Sequence, residues 1–527
     1  MHSLPSSLAD HDLDLTPSAD PPESAPIPVP TGDAQFDPFN TGTATIPFSR
    51  SDYDPATGTT SPREQLNEIT AWIDASNVYG SDDQRAAALR TGTGGLLKTS
   101  AGDLLPYNVD NLHNENGPGA VNASSMFVAG DVRANEQIGL LAMHTLFVRE
   151  HNRLAALFQA SNSSLSDEEL FQLARTVVAA EMQLITFNEF LPALLGDDPL
   201  DPYAGYNASV NAGITNEFSS ASFRFGHSMV SPTFMLMADD GSSVGPGSLG
   251  LRDAFFNPSL AVQYGIEPFL KGLASNMMQE VCELRKRLRL DCVPPFFFLD
   301  RCIHSAQPLA DSQVDLEVID DLRNFLFGPP GAGGLDLAAL NIQRGRDHAL
   351  CDFNSLRVHF GLPALQSFQD ISADPSTQAA LQSLYTSVDD IDIWVGTLAE
   401  EHVPGSSTGP TLKMSMKKMF TSLRDGDRFY YLNDPIFEDI LAMIGLTVET
   451  FETEMRLGRI IEKNTALTDL QTNVFFAPQT LTGTTVKSDP HVKGLRGQEF
   501  DFMVSRWTHS CTSAFFKKTH THIHTCI

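Results

Sequence analysis

The chain has 527 residues, 42% of them apolar and 9% aromatic, enough to bury a large core. Lys and Arg total 35 against 65 for Asp and Glu, and the resulting net charge of -30 excludes nucleic-acid backbones and anionic membrane surfaces as natural partners. No stretch approaches the roughly 18 unbroken apolar residues of a membrane span, and the opening MHSLPSSLAD lacks the basic-then-apolar order of a signal peptide.

In chain order, the first feature is the cluster Asp10-His11-Asp12, with Asp14 one step on. From about Thr16 to Ser61 the chain is rich in Pro, Asp, Gly, Thr and Ser and has little periodicity, which predicts a long ordered loop or wrapping segment. TAWIDASNVYG follows. Here Thr70, Asp74 and Ser76, with the carbonyls of Thr70 and Trp72, place oxygens at every second residue, as a curved loop does around a hard cation such as calcium. Asp12 is a further carboxylate for the same ion, supplied from afar. Alone, that pattern is by default a solvated loop.

FVAGDVRANEQIGLLAMHTLFVREHNR sets Arg133 and Glu136 one turn apart at the entrance to a helix predicted from Ile138 to Phe158. Ser166-Asp167-Glu168-Glu169 forms a capping box for the next helix, through LFQLARTVVAAEMQLI. Further helices are predicted around Glu217 to Met229, Leu316 to Leu326, Asp336 to Arg346, Thr377 to Ser387 and Met414 to Leu423. Within them, FRFGHSMV carries His227 inward, and LAALNIQRGRDHAL puts Asn341 and Arg344 on one face. A lone His in an apolar helix is more often a satisfied core residue than a ligand. Strand-like runs are few and short, and no repeat is found. The expected fold is therefore mainly α, a single large helical domain over 1–505 with long loops and little β structure.

Two segments break the texture. CELRKRLRLDCVPPFFFLDRCIHSA is abruptly basic and cysteine-rich, which marks 282–306 as an atypical insertion or a gene-prediction artefact. The tail over 506–527 ends KKTHTHIHTCI; His520, His522, His524 and Cys526 have metal-ligating chemistry, but a short His-rich tract is compositional evidence and reads first as a disordered or mispredicted tail. Outside these segments only Cys351 remains, so the body stands without a disulfide framework. Three Asn-x-Ser sequons, at Asn122, Asn162 and Asn207, suit a secreted glycoprotein but are weak evidence.

Taken together and in this order, the motifs, with RDGDRFYY from Arg424, resemble the animal-type haem peroxidases of the peroxidase-cyclooxygenase superfamily, from about Leu8 to about Pro478. The resemblance implies haem b and Ca2+ as cofactors, hydrogen peroxide and a small reductant as partners, a ferryl intermediate, and secretion. It makes His11 the distal acid-base group and Arg133 the stabiliser of charge on the departing oxygen. It makes His227 the proximal iron ligand and Asn341 the partner of its second ring nitrogen. Arg224 and Arg344 are implied as propionate partners, with Asp14 a further contact. Asp10 and Glu136 match the two carboxylates that become ester-linked to haem, while Gln137 stands where some members have the methionine of a sulfonium link, so two links at most are expected. Asp12, Thr70, Trp72, Asp74 and Ser76 are the implied calcium ligands.

The family normally has a substantial stretch upstream of the Asp-His-Asp trio, so the start is expected to be truncated. Ungapped, Ser7 stands in place of a distal glutamine that organises water and halide, which counts against halide oxidation. The cyclooxygenases carry a radical-bearing tyrosine three residues before the proximal histidine. Arg224 holds that place here, which favours a peroxidase over a lipid dioxygenase. The remaining alternative is a peroxinectin-like adhesion or structural protein with a vestigial haem site.

Overall fold

The computed structural model describes residues 23–67, 69–116, 122–197, 199–276, 314–328 and 334–476. All of them belong to one compact unit, which spans Met1–Asp291 and Gln307–Ala477; the second unit, Cys292–Ala306 with Pro478–Ile527, lies outside the described residues. Asp10, His11, Asp12 and Asp14 also lie outside them, as do the basic segment and the tail.

Helices dominate, as the periodicity predicts. The longest, Ile138–Ser161, starts where Gln137 caps it by accepting from the Gly139 and Leu140 amides. It ends in a short loop, and the Asp167–Ile185 helix packs back against it, opened by the predicted Ser166/Glu169 capping box. The latter then widens into a π segment, Thr186–Phe190, before Leu191–Leu195. Leu146, Leu154, Phe158, Val177, Val178 and Ile185 are fully buried in the main core. The described sheet is two hairpin-like pairs: Ile27–Pro28 with Thr45–Ile46, and Thr233–Met237 antiparallel to Ser243–Gly250.

The segment from 23 to 61 is ordered by its own turns. Asp37 accepts from the Thr41 and Gly42 amides at 2.8 and 2.9 Å and from Thr41 Oγ1 at 2.7 Å, and these bonds pull its carboxyl down to about 2. Phe48 from this segment enters a second core cluster with Leu251, Ile319, Leu322, Leu326, Leu337 and Leu340. The wrap thereby braces the helix that carries Asn341.

Two expected helices differ. Around Leu316 to Leu326 only Asp320–Arg323 is helical, because Leu326 pairs across with Leu335 and leaves the helical path. Over Glu217 to Met229 the helix breaks at Ala221, and Ser222–Met229 continues as a 3-10 helix.

One buried charge cluster joins three helices. Arg153 forks onto Glu150, whose Oε2 also accepts from Asn464 Nδ2 at 2.5 Å, on the Leu457–Asn464 helix. Glu181 faces this pair, fully buried, and neither of its oxygens meets a donor among the described residues. Burial, and then the charge of Glu150, hold the Glu181 carboxyl well above its ordinary 4.5. A raised folded-state value gives stability that is complete below the unfolded value and is lost as pH rises through the folded one. Glu181→Gln is therefore expected to melt with the wild type at pH 5 and higher than it at pH 9, by up to roughly 2–4 °C. Thermal unfolding at the two pH values measures this; parallel slopes would mean that Glu181 is ionised in the folded chain.

Candidate functional site

The 3-10 turn is what builds the first group of candidate residues. With three residues per turn, side chains at i and i+3 eclipse, so Arg224 and His227 leave the Ser222–Met229 run on one side. Both reach Asn341, which is fully buried on the Leu337–Asp347 helix. Asn341 Nδ2 lies 2.7 Å from His227 Nδ1, and Arg224 Nη1 donates to Asn341 Oδ1 at 3.3 Å. Arg224 is further held by its Nε–H to the Ser219 carbonyl at 2.9 Å. Its own carbonyl accepts from the indole Nε1–H of Trp394, 3.1 Å away. The turn carrying His227 is thus fastened on both sides.

Arg344 lies one turn beyond Asn341 and is buried. Its Nη1 donates to Ser51 Oγ at 2.8 Å, to the Ser49 carbonyl at 3.1 Å and to Asp347 Oδ2 at 3.1 Å, and its guanidinium sits 4.2 Å over the Phe48 ring. His348 bridges Ser51 Oγ and Ser220 Oγ at 2.8 and 2.9 Å. The wrapping segment, the Asn216–Ser220 helix and the Asn341 helix are joined there. Trp394 and His348 were not singled out from the sequence. His348 lies inside the quoted Asn341 motif, whereas Trp394 gives no local signal.

A second group of candidate residues gathers around the predicted cation loop. Trp72 N donates to Thr70 Oγ1 and Ser76 N to Asp74 Oδ1, both at 2.9 Å, and Ala75 takes φ +60. These turns curl the chain, at the cost of a left-handed non-glycine residue. Gln183 clasps the loop from the Asp167–Ile185 helix: its Nε2 donates to the Ile73 carbonyl at 3.0 Å, while its Oε1 accepts from Tyr431 N at 3.0 Å. Asp427, in the RDGDRFYY stretch, is pushed up to about 6 by burial and by the charge of Asp74.

Arg133 stands beside this loop. Its Nε and Nη2 fork onto Asp131 at 2.9 and 2.8 Å, and both side chains are under a tenth exposed. Burial opposes charge on Asp131, but the Arg133 guanidinium outweighs it and holds the carboxyl far below its ordinary value. Glu136 is half-buried in the turn that precedes the long helix, its N–H bonded to the Arg133 carbonyl at 2.8 Å. Asp131 is a site residue that the sequence reading passed over, although it lies two residues before Arg133 in the quoted motif.

The animal haem peroxidase family pattern matches residues 2–289 and 298–475. Peroxinectin A of Dictyostelium discoideum is 37% identical over 422 residues, 78% of this chain and 72% of that one. Thyroid peroxidase of Mus musculus is 35% identical over 462 residues, covering 82% of this chain and 46% of its own. Peroxidasin of Drosophila melanogaster is 36% identical over 394 residues, 71% and 24%. This chain therefore spans most of the peroxinectin but less than half of the longer relatives. Among solved structures, peroxidase A from Dictyostelium discoideum matches with a TM-score of 0.75 at 33% identity, over 89% of this chain and 84% of that one. A fatty acid alpha-dioxygenase from Oryza sativa shares the fold, with a TM-score of 0.67 at 20% identity over 90% and 75%. The chain belongs to the animal haem peroxidase family. Membership implies haem binding and oxidoreductase chemistry.

The described residues fit those groups. His227 is buried with Asn341 against Nδ1, and an imidazole that ligates iron through Nε2 must donate Nδ1–H to an acceptor. As placed, Asn341 turns Nδ2 to the ring and Oδ1 to Arg224; the amide supplies the acceptor after a half-turn about its last bond, which gives up the Arg224 bond to Oδ1. The Thr70–Ser76 loop offers only oxygens, the chemistry of a hard cation. The described residues contain no cluster of three or more His, Cys, Asp or Glu that could serve as a metal site, and Asp12 is outside them. Asn341→Leu is expected to lower haem retention about 10- to 100-fold, with most of it recovered in Asn341→Asp, which restores an acceptor. Haem content after gel filtration and the reduction potential check this; equal retention in the leucine variant would remove Asn341 from the haem site.

Proposed function

We propose that the chain is a peroxidase that reduces hydrogen peroxide and oxidises small donors. The observation that carries this reading is the buried Arg224–His227–Asn341 group within a chain of the haem peroxidase family. When bound, haem supplies the iron that holds peroxide and stores its oxidising equivalents. His227 would hold that iron through Nε2, oriented by Asn341. Arg224 and Arg344 would hold the propionates, because a guanidinium fork matches a carboxylate, with Asp14 a lesser contact. Asp10 and Glu136 would supply the ester links.

His11 is the proton carrier. Its imidazole takes the proton from the inner peroxide oxygen and returns it to the outer one, which an unperturbed pKa of about 6.5 allows near neutrality. Arg133 steadies the charge that develops on the departing oxygen. The balance is one peroxide with two phenols giving two waters and two phenoxyl radicals, or one peroxide with one halide and one proton giving hypohalous acid and water. Calcium, held by Asp12, Thr70, Trp72, Asp74 and Ser76, would fix the loop beside Arg133. No described helix is long and apolar enough to cross a membrane; the three sequons and the family's secreted relatives are what support action outside the cell.

The test is absorption spectroscopy of the chain produced with haem and calcium, before and after one equivalent of hydrogen peroxide. A Soret shift that reverses on adding a phenol or bromide is expected. His11→Ala should keep haem and lose the peroxide response by about 10²- to 10⁴-fold; near-normal response in that variant contradicts the distal assignment. Asp74→Ala should lower bound calcium in elemental analysis, and unchanged calcium content would sink that site.

A further inference from the structure

Behind Arg133 lies a continuous hydrogen-bonded path to the Thr70–Ser76 loop. Asp131 holds Arg133 three times, by the two fork bonds and by accepting from the Arg133 backbone N–H at 2.8 Å. The backbone N–H of Asp131 in turn donates to the carbonyl of Asn77 at 3.2 Å. Asn77 is the residue directly after Ser76, the last of the loop's candidate cation ligands, and lies in the short Ser76–Tyr79 helix.

The same carbonyl is shared. His144 Nδ1, from the long helix, approaches it at 3.1 Å, and a carbonyl can only accept, so the imidazole proton is on Nδ1. His144 Nε2 is then a buried acceptor that meets no donor among the described residues. Burial lowers the basicity of this ring below that of an ordinary histidine. Gly130 makes the junction rigid. A Cβ at that position would lie 2.3 Å from the Ser76 carbonyl oxygen and 2.6 Å from Tyr79 N, so the chain before Asp131 lies flush on the backbone of the Ser76–Tyr79 helix.

We infer that Asp131 is the positioning residue for Arg133, and that through it and the Asn77 carbonyl the cation loop sets the direction of the guanidinium. Asp131 touches no reacting atom. By occupying Nε and Nη2 it fixes the guanidinium plane, and hence where the opposite edge points. An arginine has several rotatable bonds, and a donor acts on a developing charge only where its direction is fixed beforehand. A change in the loop moves Asn77, and the path carries that movement to the guanidinium without any contact between cation and arginine. The inference rests on the reading of Arg133 as the charge-stabilising group.

The experiment uses the full chain loaded with haem and calcium. It compares wild type, Asp131→Asn, Asp131→Glu and Arg133→Gln in two measurements besides turnover: cyanide affinity by optical titration, and its change when calcium is stripped with a chelator. Haem content and melting temperature are recorded for each.

Cyanide should bind about 10- to 100-fold more weakly to Asp131→Asn than to wild type, and Asp131→Glu should recover part of the loss. Calcium removal should weaken cyanide binding in the wild type and change Asp131→Asn little, since two changes on one path are not additive. Should Asp131→Asn fail to take up haem, the chelator comparison between wild type and Arg133→Gln decides. The coupling then has to vanish in Arg133→Gln, and an equal calcium effect in both chains overturns the inference. Wild-type cyanide affinity in Asp131→Asn, with Arg133→Gln weakened, overturns the role of Asp131 and leaves that of Arg133 standing. Undiminished affinity in Arg133→Gln overturns the reading of Arg133 itself.

Discussion

The 2.7 Å contact between His227 and Asn341 organises the described structure around it. It ties a 3-10 turn to a helix more than a hundred residues away, and each partner is immobilised separately. Trp394 and the Ser219 carbonyl hold the turn through Arg224; Phe48, Ser49 and Ser51 hold the helix through Arg344. A buried polar contact of this kind is costly when half-made and specifying when complete. The long aperiodic segment near the start of the chain earns its place here, because it seals the Asn341 helix with one aromatic ring and a few backbone and hydroxyl acceptors.

The second centre is built on a different principle. Around the Thr70–Ser76 loop the bonds run from backbone to side chain over short sequence distances, and the loop keeps its curl with a left-handed alanine. Longer reach comes from Gln183, whose amide meets the loop on one side and the RDGDRFYY stretch on the other. Asp131 adds the connection to Arg133. The oxygen-lined loop and the guanidinium thus belong to one packed junction.

His227, Asn341 and Arg344 were picked out by the resemblance their motifs carry together, since each alone reads as an ordinary helical residue, and the structure places His227 and Asn341 side by side. The long helix with its capping-box successor follows from apolar periodicity and end signals. The break at Ala221 was not legible. FRFGHSMV holds Gly226 and few strong helix formers, which weakens the helix there, but nothing in it marks position 221 or a three-residue turn. Trp394 was invisible for a related reason: its partner is a backbone carbonyl 170 positions earlier in the chain, and a carbonyl has no residue type to recognise.

The sequence by itself determined the family and the helical class and named the candidates for the groups that do chemistry, because residue types and short spacings are written in it directly. Tertiary structure decided which of those groups are held and by what. Asp131 fastens Arg133, the Asn77 carbonyl fastens Asp131, and Glu181 is buried facing Glu150. The last two are contacts between segments far apart in the chain or through a backbone atom common to every residue, and the first, though only two residues long, is made firm by burial. Their strength comes from exclusion of water, which no linear pattern records.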